Sequence, residues 1–188
     1  MEQRKVNKQN DPIFLMRLAK NGDQSAFGQI YELYFTPVFR YIFLRVRNKS
    51  DAENLTQDVF LKTYKFIGNF QEKNKTPLSL FFTIARNTVI DFWKKKKEIL
   101  IEEIEEAEVL ENSLEILEKT DDWKRITNIL EKLTEDQREA ISLKFISGLS
   151  NKEISQLLEK SEESIRQLQS RGLRVMREYF NQDSRISK

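Results

Sequence analysis

The amino-acid sequence predicts an all-α protein with two small helical domains, an N-terminal helical bundle and a C-terminal helix-turn-helix domain, joined by an acidic linker. The chain of 188 residues is 33% charged and contains only five glycines and three prolines, a composition that favours helices. Capping residues precede several segments whose apolar residues recur at helical spacing. No alternation of polar and apolar residues is long enough to predict a strand. The predicted domains cover residues 11–97 and 122–180, and the linker covers 98–121.

The first domain begins with two predicted helices. Apolar residues at helical spacing predict a helix over 23–35. Thr36 and Pro37 then restart the chain in a new helix, because proline is favoured at the first helical position. We expect this second helix to end near Arg47.

Two further helices complete the first domain. Ser50 and Glu53 have the spacing of a capping box, in which each side chain bonds the backbone of the other residue, and they predict a helix over 51–67. A polar loop follows this helix. Thr76 is a predicted N-cap and Pro77 a predicted first residue for a fourth helix, which reaches a run of four lysines.

The second domain is predicted to consist of short helices separated by polar turns. Ser147 and Gly148 end one of them, since glycine readily adopts the left-handed conformation that often follows a helix. Its other boundaries are set by predicted N-caps, two of which have a capping-box partner three residues later. These caps are Thr134 with Gln137, Ser150 with Glu153, and Ser161.

Residues 150–180 have the pattern of a helix-turn-helix, with a short amphipathic helix, a polar turn and a longer basic helix. The second helix of this motif enters the major groove of DNA, where Arg and Gln side chains suit bidentate contacts with guanine and adenine. The alternative is an ordinary solvated face. The predicted core stripe contains Ile165, Leu168, Gly172, Met176 and Tyr179. The predicted DNA-binding residues on the other side are Arg166, Gln167, Ser170, Arg171 and Arg174.

A second nucleic-acid surface is predicted on the helix that begins at Pro77. One side of this helix is apolar, and the other carries hydrogen-bond donors and ends in the lysine run. Phe70, in the preceding loop over 68–75, and Trp93 could stack on unpaired bases, and the alternative is that both are core residues. The donors predicted to contact nucleic acid are Thr83, Arg86, Asn87, Lys94 and Lys97.

The helix over 51–67 has two apolar faces. Its predicted core stripe contains Ala52, Leu55, Val59, Thr63 and Phe66. Leu61 and Tyr64 emerge on the other side, beside Asn54, Gln57 and Asp58. A second apolar face indicates either burial within the bundle or a surface for a partner, and the residue pattern leaves both open.

The composition excludes several kinds of catalytic site. Without cysteine or histidine the chain cannot form a Cys/His zinc site, a thiol nucleophile or a His-based triad, and we expect no metal or other cofactor. The first residues lack the apolar core of a secretory signal. No apolar run approaches the roughly 18 residues that a membrane span needs. We therefore expect a cytoplasmic protein without membrane insertion.

Four segments, in order, resemble a bacterial RNA polymerase sigma factor of the extracytoplasmic-function (ECF) group. GDQSAFGQIYELYFTPVFRYI resembles the first conserved segment of that family, and SDAENLTQDVFLKTYKFI resembles its core-binding helix. TPLSLFFTIARNTVIDFWKKKK is similar to its −10 recognition and melting helix. The segment from Leu133 to Glu178 is similar to its C-terminal domain, which reads the −35 element.

The resemblance implies a partner for the second face of the helix over 51–67 and for the DNA-binding helices. Core RNA polymerase would contact the chain through its clamp coiled coil and its flap, with the coiled coil on Asn54, Gln57, Asp58 and Leu61. The loop over 68–75 would hold a flipped base of the −10 element. Promoter strands would contact Arg86, Asn87 and Lys94, and −35 bases would be read by Arg166, Gln167, Ser170 and Arg171.

The resemblance also bears on the linker, on regulation and on catalysis. The acidic linker would thread into polymerase channels that normally hold RNA, whereas a solvated tether is the plainer interpretation. Many family members are held inactive by an anti-sigma factor, but nothing in this chain specifies one. The polymerase would supply all nucleotide chemistry, so the resemblance implies that this chain is not an enzyme.

Two other functions fit parts of the sequence. A free-standing helix-turn-helix regulator would bind duplex DNA as a dimer and would have no use for the second face of the helix over 51–67. A carboxylate-metal nuclease could use Glu102, Glu103, Glu105 and Glu106. That acidic run has no apolar pocket around it, and acidic runs are usually solvated.

Overall fold

The computed structural model describes the backbone of residues 11–71, 76–102 and 121–186, and the side chains of residues 11–71, 76–98 and 125–181. The described residues form eight α-helices and no strand, which confirms the all-α prediction. None of the described helices is long and apolar enough to cross a membrane. The helices fall into two compact units, the first with four helices and the second with four.

In the first unit, α1 packs on α2, and α3 packs against both α2 and α4. The helices are α1 (Pro12–Lys20), α2 (Gln24–Val46), α3 (Lys49–Phe66), followed by a 3-10 turn (Ile67–Asn69), and α4 (Pro77–Glu102). The sequence analysis did not predict α1. Residues adjacent in sequence nonetheless fix the start of α1. Asp11 accepts a hydrogen bond from the Ile13 N–H at 3.2 Å, and Pro12 occupies the first turn.

Helix α2 runs through Pro37 without a break, so the predicted restart at Thr36 and Pro37 is wrong. Proline inside a helix removes one backbone hydrogen bond and costs about 3 kcal/mol or more. The apolar side chains that follow Pro37 offset this cost by burial in the core. Val38, Tyr41 and Ile42 are fully buried in α2, and they pack only if the helix continues.

Helix α3 begins at Asn48 and not at the predicted Ser50 box. The Asn48 side chain accepts a hydrogen bond from the Asp51 N–H at 2.9 Å, and Asn48 has the extended backbone typical of an N-cap. Arg47 has a left-handed backbone with φ of 57°, which ends α2 and reverses the chain just before the cap. Ser50 therefore lies inside the first turn of α3.

The core of the first unit is rich in aromatic rings. Phe81 of α4 lies 5.1 Å from Tyr34 of α2 and 4.9 Å from Phe60 of α3, measured between ring centroids, so one ring joins three helices. Four of the five predicted core residues of α3 are buried. The fifth, Phe66, is 51% exposed because the helix gives way to the 3-10 turn, where Ile67 is buried instead.

Helix α4 begins as predicted, with the Ser79 N–H donating to Thr76 Oγ1 at 3.2 Å. It extends past the lysine run to Glu102. Its predicted apolar side is buried at Leu80, Phe81, Ala85 and Val89. The segment 72–75 of the predicted loop and most of the predicted linker lie outside the described residues.

The second unit has the predicted caps. Its helices are α5 (Asp121–Glu131), α6 (Glu135–Ile141), followed by a π turn (Ser142–Ile146), α7 (Asn151–Leu158) and α8 (Glu162–Ile186). Capping boxes join Thr134 to Gln137 and Ser150 to Glu153. The Ser164 N–H donates to Ser161 Oγ at 3.1 Å, which caps α8. Gly148 has a φ of 78°, as the predicted stop requires.

Gly172 lets α8 lie close to α6. A Cβ atom at this position would be 2.5 Å from Cδ1 of Ile141 and 3.4 Å from Cβ of Gln137. Ile141 is itself buried, so its side chain has little room to move away. The predicted place of Gly172 in the core stripe is therefore confirmed, and the missing side chain permits the close approach of the two helices.

We expect Gly172→Ala to destabilise the second unit by about 1 kcal/mol. Overpacking costs about 1–3 kcal/mol, and the better helix propensity of alanine recovers about 1 kcal/mol. Gly28→Ala is the matched control, because Gly28 is exposed inside α2 and a Cβ atom there would meet nothing within 4 Å. That variant should stabilise the first unit by up to about 1 kcal/mol. Thermal unfolding followed unit by unit measures both, and equal shifts of the same sign would contradict the role of Gly172.

Candidate functional site

Helix α8 presents a polar face to solvent. The five residues predicted to bind DNA are all exposed: Arg166, Gln167, Ser170, Arg171 and Arg174. On the opposite side Ile165 is fully buried and Gly172 is buried against α6, whereas Tyr179 of the predicted core stripe is 40% exposed. Leu168 and Met176 are half-buried, so the predicted core stripe is buried only at Ile165 and Gly172, whereas the predicted polar face is accessible.

The first turn of α8 contains two carboxylates that contact the predicted base-reading residues. Glu163 accepts hydrogen bonds from Arg166 Nε at 3.4 Å and from Gln167 Nε2 at 3.3 Å. Arg166 Nη1 also lies 3.7 Å from a carboxylate oxygen of Glu162. The sequence analysis did not include Glu163 among the DNA-binding residues.

The turn between α7 and α8 is held by contacts from both sides. Glu159 ends α7 with a left-handed backbone, φ 53°. Gln169 of α8 is only 8% exposed, and its Nε2 donates to Asn151 Oδ1 of α7 at 3.1 Å. Lys160 Nζ donates to Asp136 Oδ2 of α6 at 3.0 Å. The sequence analysis missed Gln169, because a glutamine in a largely polar helix gives no signal of burial.

The residues of α4 that are predicted to contact the −10 element differ in their exposure to solvent. Asn87, Lys94 and Lys97 are exposed, whereas Thr83 and Arg86 are half-buried. The Thr83 hydroxyl donates to the Ser79 carbonyl at 2.7 Å, so its hydrogen is engaged within the helix. The accessible donors are therefore concentrated toward the lysine run.

The two aromatic residues predicted to stack on bases have different environments. Phe70 is 7% exposed, and its carbonyl accepts a hydrogen bond from Lys20 Nζ of α1 at 3.1 Å. Its burial fits the alternative of a core residue, and the binding of Phe70 to the −10 element stays a prediction. Trp93 is 43% exposed, and Lys96 Nζ lies 5.5 Å from its ring centroid.

A buried tyrosine of α2, Tyr41, packs against α4 and is affected by the charges of two arginines. Tyr41 is fully buried, its ring centroid is 5.3 Å from that of Phe82, and the Arg45 guanidinium carbon lies 4.5 Å from its ring. Burial raises the pKa of Tyr41, and the positive charges of Arg45 and Arg86 act in the opposite direction. The net effect keeps the hydroxyl protonated.

The outer face of α3 forms one wall of an apolar groove. Asn54, Gln57, Asp58 and Leu61, the residues predicted to bind polymerase, are all exposed, and Leu61 is 58% exposed. The groove has a volume of about 470 Å³ and lies between α2 and α3. It is lined by Gln24, Phe27, Tyr31, Gln57, Phe60, Leu61 and Tyr64. The contribution of α2 was missed, because its apolar spacing indicates only a core face.

The structure offers no support for a carboxylate-metal centre in the parts of the chain with described side chains. No group of three or more Asp or Glu side chains there is placed to hold a metal ion. Glu103, Glu105 and Glu106 of the nuclease hypothesis lie outside the described residues, and nothing is known of the Glu102 side chain.

Both units match known families. Residues 30–99 match Sigma-70 region 2 and residues 123–176 match Sigma-70 region 4. The ECF RNA polymerase sigma factor BldN of Streptomyces coelicolor is 33% identical over 176 residues, which cover 91% of this chain and 66% of BldN, just under two thirds of its length. The RNA polymerase sigma factor SigZ of Bacillus subtilis is 33% identical over 69% of this chain and 72% of SigZ. This chain belongs to the ECF sigma factor family.

Other sigma factors match most of this chain, one in sequence and two in fold. SigX of Bacillus subtilis, also an ECF RNA polymerase sigma factor, is 26% identical over 84% of each chain. The structure of CnrH in complex with the cytosolic domain of CnrY has a TM-score of 0.70 at 21% identity and covers 93% of this chain and 99% of CnrH. The sigma factor RpoE of Bartonella quintana, solved with the anti-sigma factor NepR, has a TM-score of 0.65 at 21% identity and covers 82% and 96%. The two solved structures share the fold of this chain, and its membership of the family makes it a transcription initiation factor.

The environment of Tyr41 makes the stability of the first unit depend on alkaline pH. Above about pH 10 tyrosine ionises in the unfolded chain, whereas buried Tyr41 keeps its proton in the folded chain. The unfolded state then binds fewer protons, so stability falls as pH rises. The Tyr41→Phe variant lacks this ionisation. We therefore expect its unfolding free energy, relative to that of the unsubstituted chain, to rise with pH above about pH 10. Denaturant titrations from neutral to alkaline pH measure this difference, and a constant difference would contradict it.

Proposed function

We propose that this sigma factor binds core RNA polymerase through the outer face of α3 and reads promoter DNA with α4 and α8. The observation that carries the proposal is the outer face of α3. Leu61 is 58% exposed and Tyr64 43% exposed, beside an apolar groove. A dimeric regulator that only bound duplex DNA would have no use for this face.

The groove supports a hydrophobic anchor for the polymerase interface. Phe27 and Tyr64 meet at 4.9 Å and Tyr31 and Phe60 at 4.6 Å between ring centroids, so the groove has a pre-formed aromatic floor. Gln57 and Asp58 lie at its polar margin on α3. An apolar centre with a polar rim is typical of protein interfaces. The clamp coiled coil of the polymerase is the partner we assign to it, and the flap is assigned to the second unit.

Helix α8 is proposed to read the −35 element through Arg166, Gln167, Ser170, Arg171 and Arg174. Their exposure on the side opposite to Ile165 supports insertion of this face into the major groove. Residues near the N-terminal end reach base edges, and Arg174, farther along, reaches phosphates.

Helix α4 is proposed to contact the −10 element. Asn87, Lys94 and Lys97 are its exposed contacts, with Thr83 and Arg86 at the margin. Trp93 is the aromatic residue with an accessible ring for stacking on an unpaired base. Capture of such a base would offset the few kcal/mol that unstacking costs.

The remaining properties follow from membership of the family. We propose boundaries of 11–97 and 122–180 for the two domains and 98–121 for the acidic linker. The polymerase supplies the catalysis, so this chain acts without enzymatic activity or cofactor of its own, in the cytoplasm. Because structural neighbours were solved with CnrY and with the anti-sigma factor NepR, an anti-sigma factor is also a proposed partner.

Gln57→Ala combined with Leu61→Ala should abolish promoter-directed transcription with purified core polymerase and leave the fold intact, because both side chains are exposed. Pull-down on core polymerase and run-off transcription measure the loss. Leu33→Ala is the matched control, since Leu33 is 46% exposed and lies about 200° around α2 from Tyr31. Retained polymerase binding in the double variant would favour the free-standing regulator instead.

Arg171→Ala and Lys94→Ala should weaken DNA binding in different ways. Loss of a bidentate base contact at Arg171 should weaken and broaden −35 selection by about 1–3 kcal/mol. Loss of a phosphate contact at Lys94 should weaken binding to all promoters similarly and lower the salt slope by about 0.7–0.9. Holoenzyme binding across promoter variants and salt concentrations separates the two, and a sequence-selective loss for Lys94→Ala would rule out a phosphate role.

A further inference from the structure

Glu163 contacts two of the proposed −35 readers with one carboxylate. Oε2 accepts from Arg166 Nε at 3.4 Å, and Oε1 accepts from Gln167 Nε2 at 3.3 Å. Residues three and four positions apart lie on the same side of a helix, which is why one side chain can reach both. All three residues are exposed, so no packing would otherwise fix their rotamers.

The bond to Gln167 selects one orientation of its amide. Glutamine reads adenine by accepting a hydrogen bond at its carbonyl oxygen and donating one from Nε2. Nε2 has two hydrogens, and Glu163 uses one of them. The other hydrogen and the carbonyl oxygen stay available for the base. A flipped amide would place the carbonyl oxygen against the carboxylate of Glu163, which is repulsive.

The contacts to Arg166 change what this arginine prefers to bind. Its guanidinium lies between Glu163 and Glu162, whose oxygen is 3.7 Å from Nη1. Two carboxylates beside one guanidinium weaken its attraction to phosphates, which contain no sequence information. Unpaired donors of Arg166 can still meet the acceptors of guanine. The first turn of α8 is therefore biased toward base contacts over backbone contacts.

We infer that Glu163 is a positioning residue of the −35 reader, which sets base selection through Arg166 and Gln167. This inference rests on the proposed function of α8. The carboxylate of Glu163 repels the DNA backbone. It nevertheless increases the preference for the correct sequence, because it holds Arg166 and Gln167 in position before the DNA binds.

The test uses the full chain assembled with core polymerase and a pool of promoter fragments with a randomised −35 element. Sequencing of bound fragments gives the base preference at each position, and Arg166→Ala and Gln167→Ala identify the positions that each residue reads. Glu163→Ala should lower the preference at those positions by roughly fivefold or more and raise the affinity for unrelated duplex DNA. Glu178→Ala is the matched control, an exposed glutamate about four turns farther along α8, and should change neither.

Glu163→Gln separates the hydrogen bond from the charge. It retains an acceptor for Gln167, so the preference at the position of Gln167 should recover in part. In a chain that already has Arg166→Ala and Gln167→Ala, substitution of Glu163 should have no further effect on base preference. A full effect in that background would show direct base contact by Glu163 and would overturn the positioning role.

Two results distinguish failure of this inference from failure of the proposed function. If Arg171→Ala broadens −35 selection and Glu163→Ala does not, the inference is overturned and the function of α8 stands. If neither substitution alters −35 selection, both are overturned. Thermal unfolding of each variant checks that a loss does not come from a melted α8.

Discussion

The close contact between Gly172 and α6 determines how the recognition helix lies in the second unit. A Cβ atom there would collide with the Ile141 side chain, so the close approach of α8 to α6 requires glycine at this position. That approach, together with burial of Ile165, settles which stripe of α8 faces inward. The accessible stripe, with Arg166, Gln167 and Arg171, follows from the same rotation. The residues that we propose as readers of the −35 element are thus exposed as a consequence of core packing.

In the first unit, α3 has two apolar faces, one buried in the core and one exposed to solvent. Phe60 packs inward on Phe81, and Leu61, the next residue, is largely exposed. The aromatic residues of α2 shape the groove beside it. An exposed apolar surface of this kind is a liability for a free protein, because it favours aggregation. Core RNA polymerase, a partner that membership of the ECF sigma family provides, is the one that we propose to cover it.

Much of the fold was predictable because it depends on local hydrogen bonds. The caps at Thr76, Thr134, Ser150 and Ser161 lie within three residues of their partners, so the sequence alone indicates them. Distant packing outweighs local preference at two positions. Pro37 is tolerated because the residues after it are buried, and Phe70 is in the core although its neighbours in sequence are polar. The exposure of the proposed readers of α8 was predictable from helical periodicity, whereas the hydrogen bonds of Glu163 and the burial of Gln169 were not, because they depend on side-chain contacts.

The turn between α7 and α8 has a further consequence for the DNA. Glu159 is left-handed, Ser161 caps the next helix, and side-chain bonds tie the turn to α6 and α8 to α7. A corner restrained in this way resists changes in its angle. If α8 enters the major groove as proposed, the duplex would bend or widen instead, at an energy that depends on its base-pair steps. Stiff and pliable sequences around the −35 element would then be distinguished even at base pairs that no side chain touches.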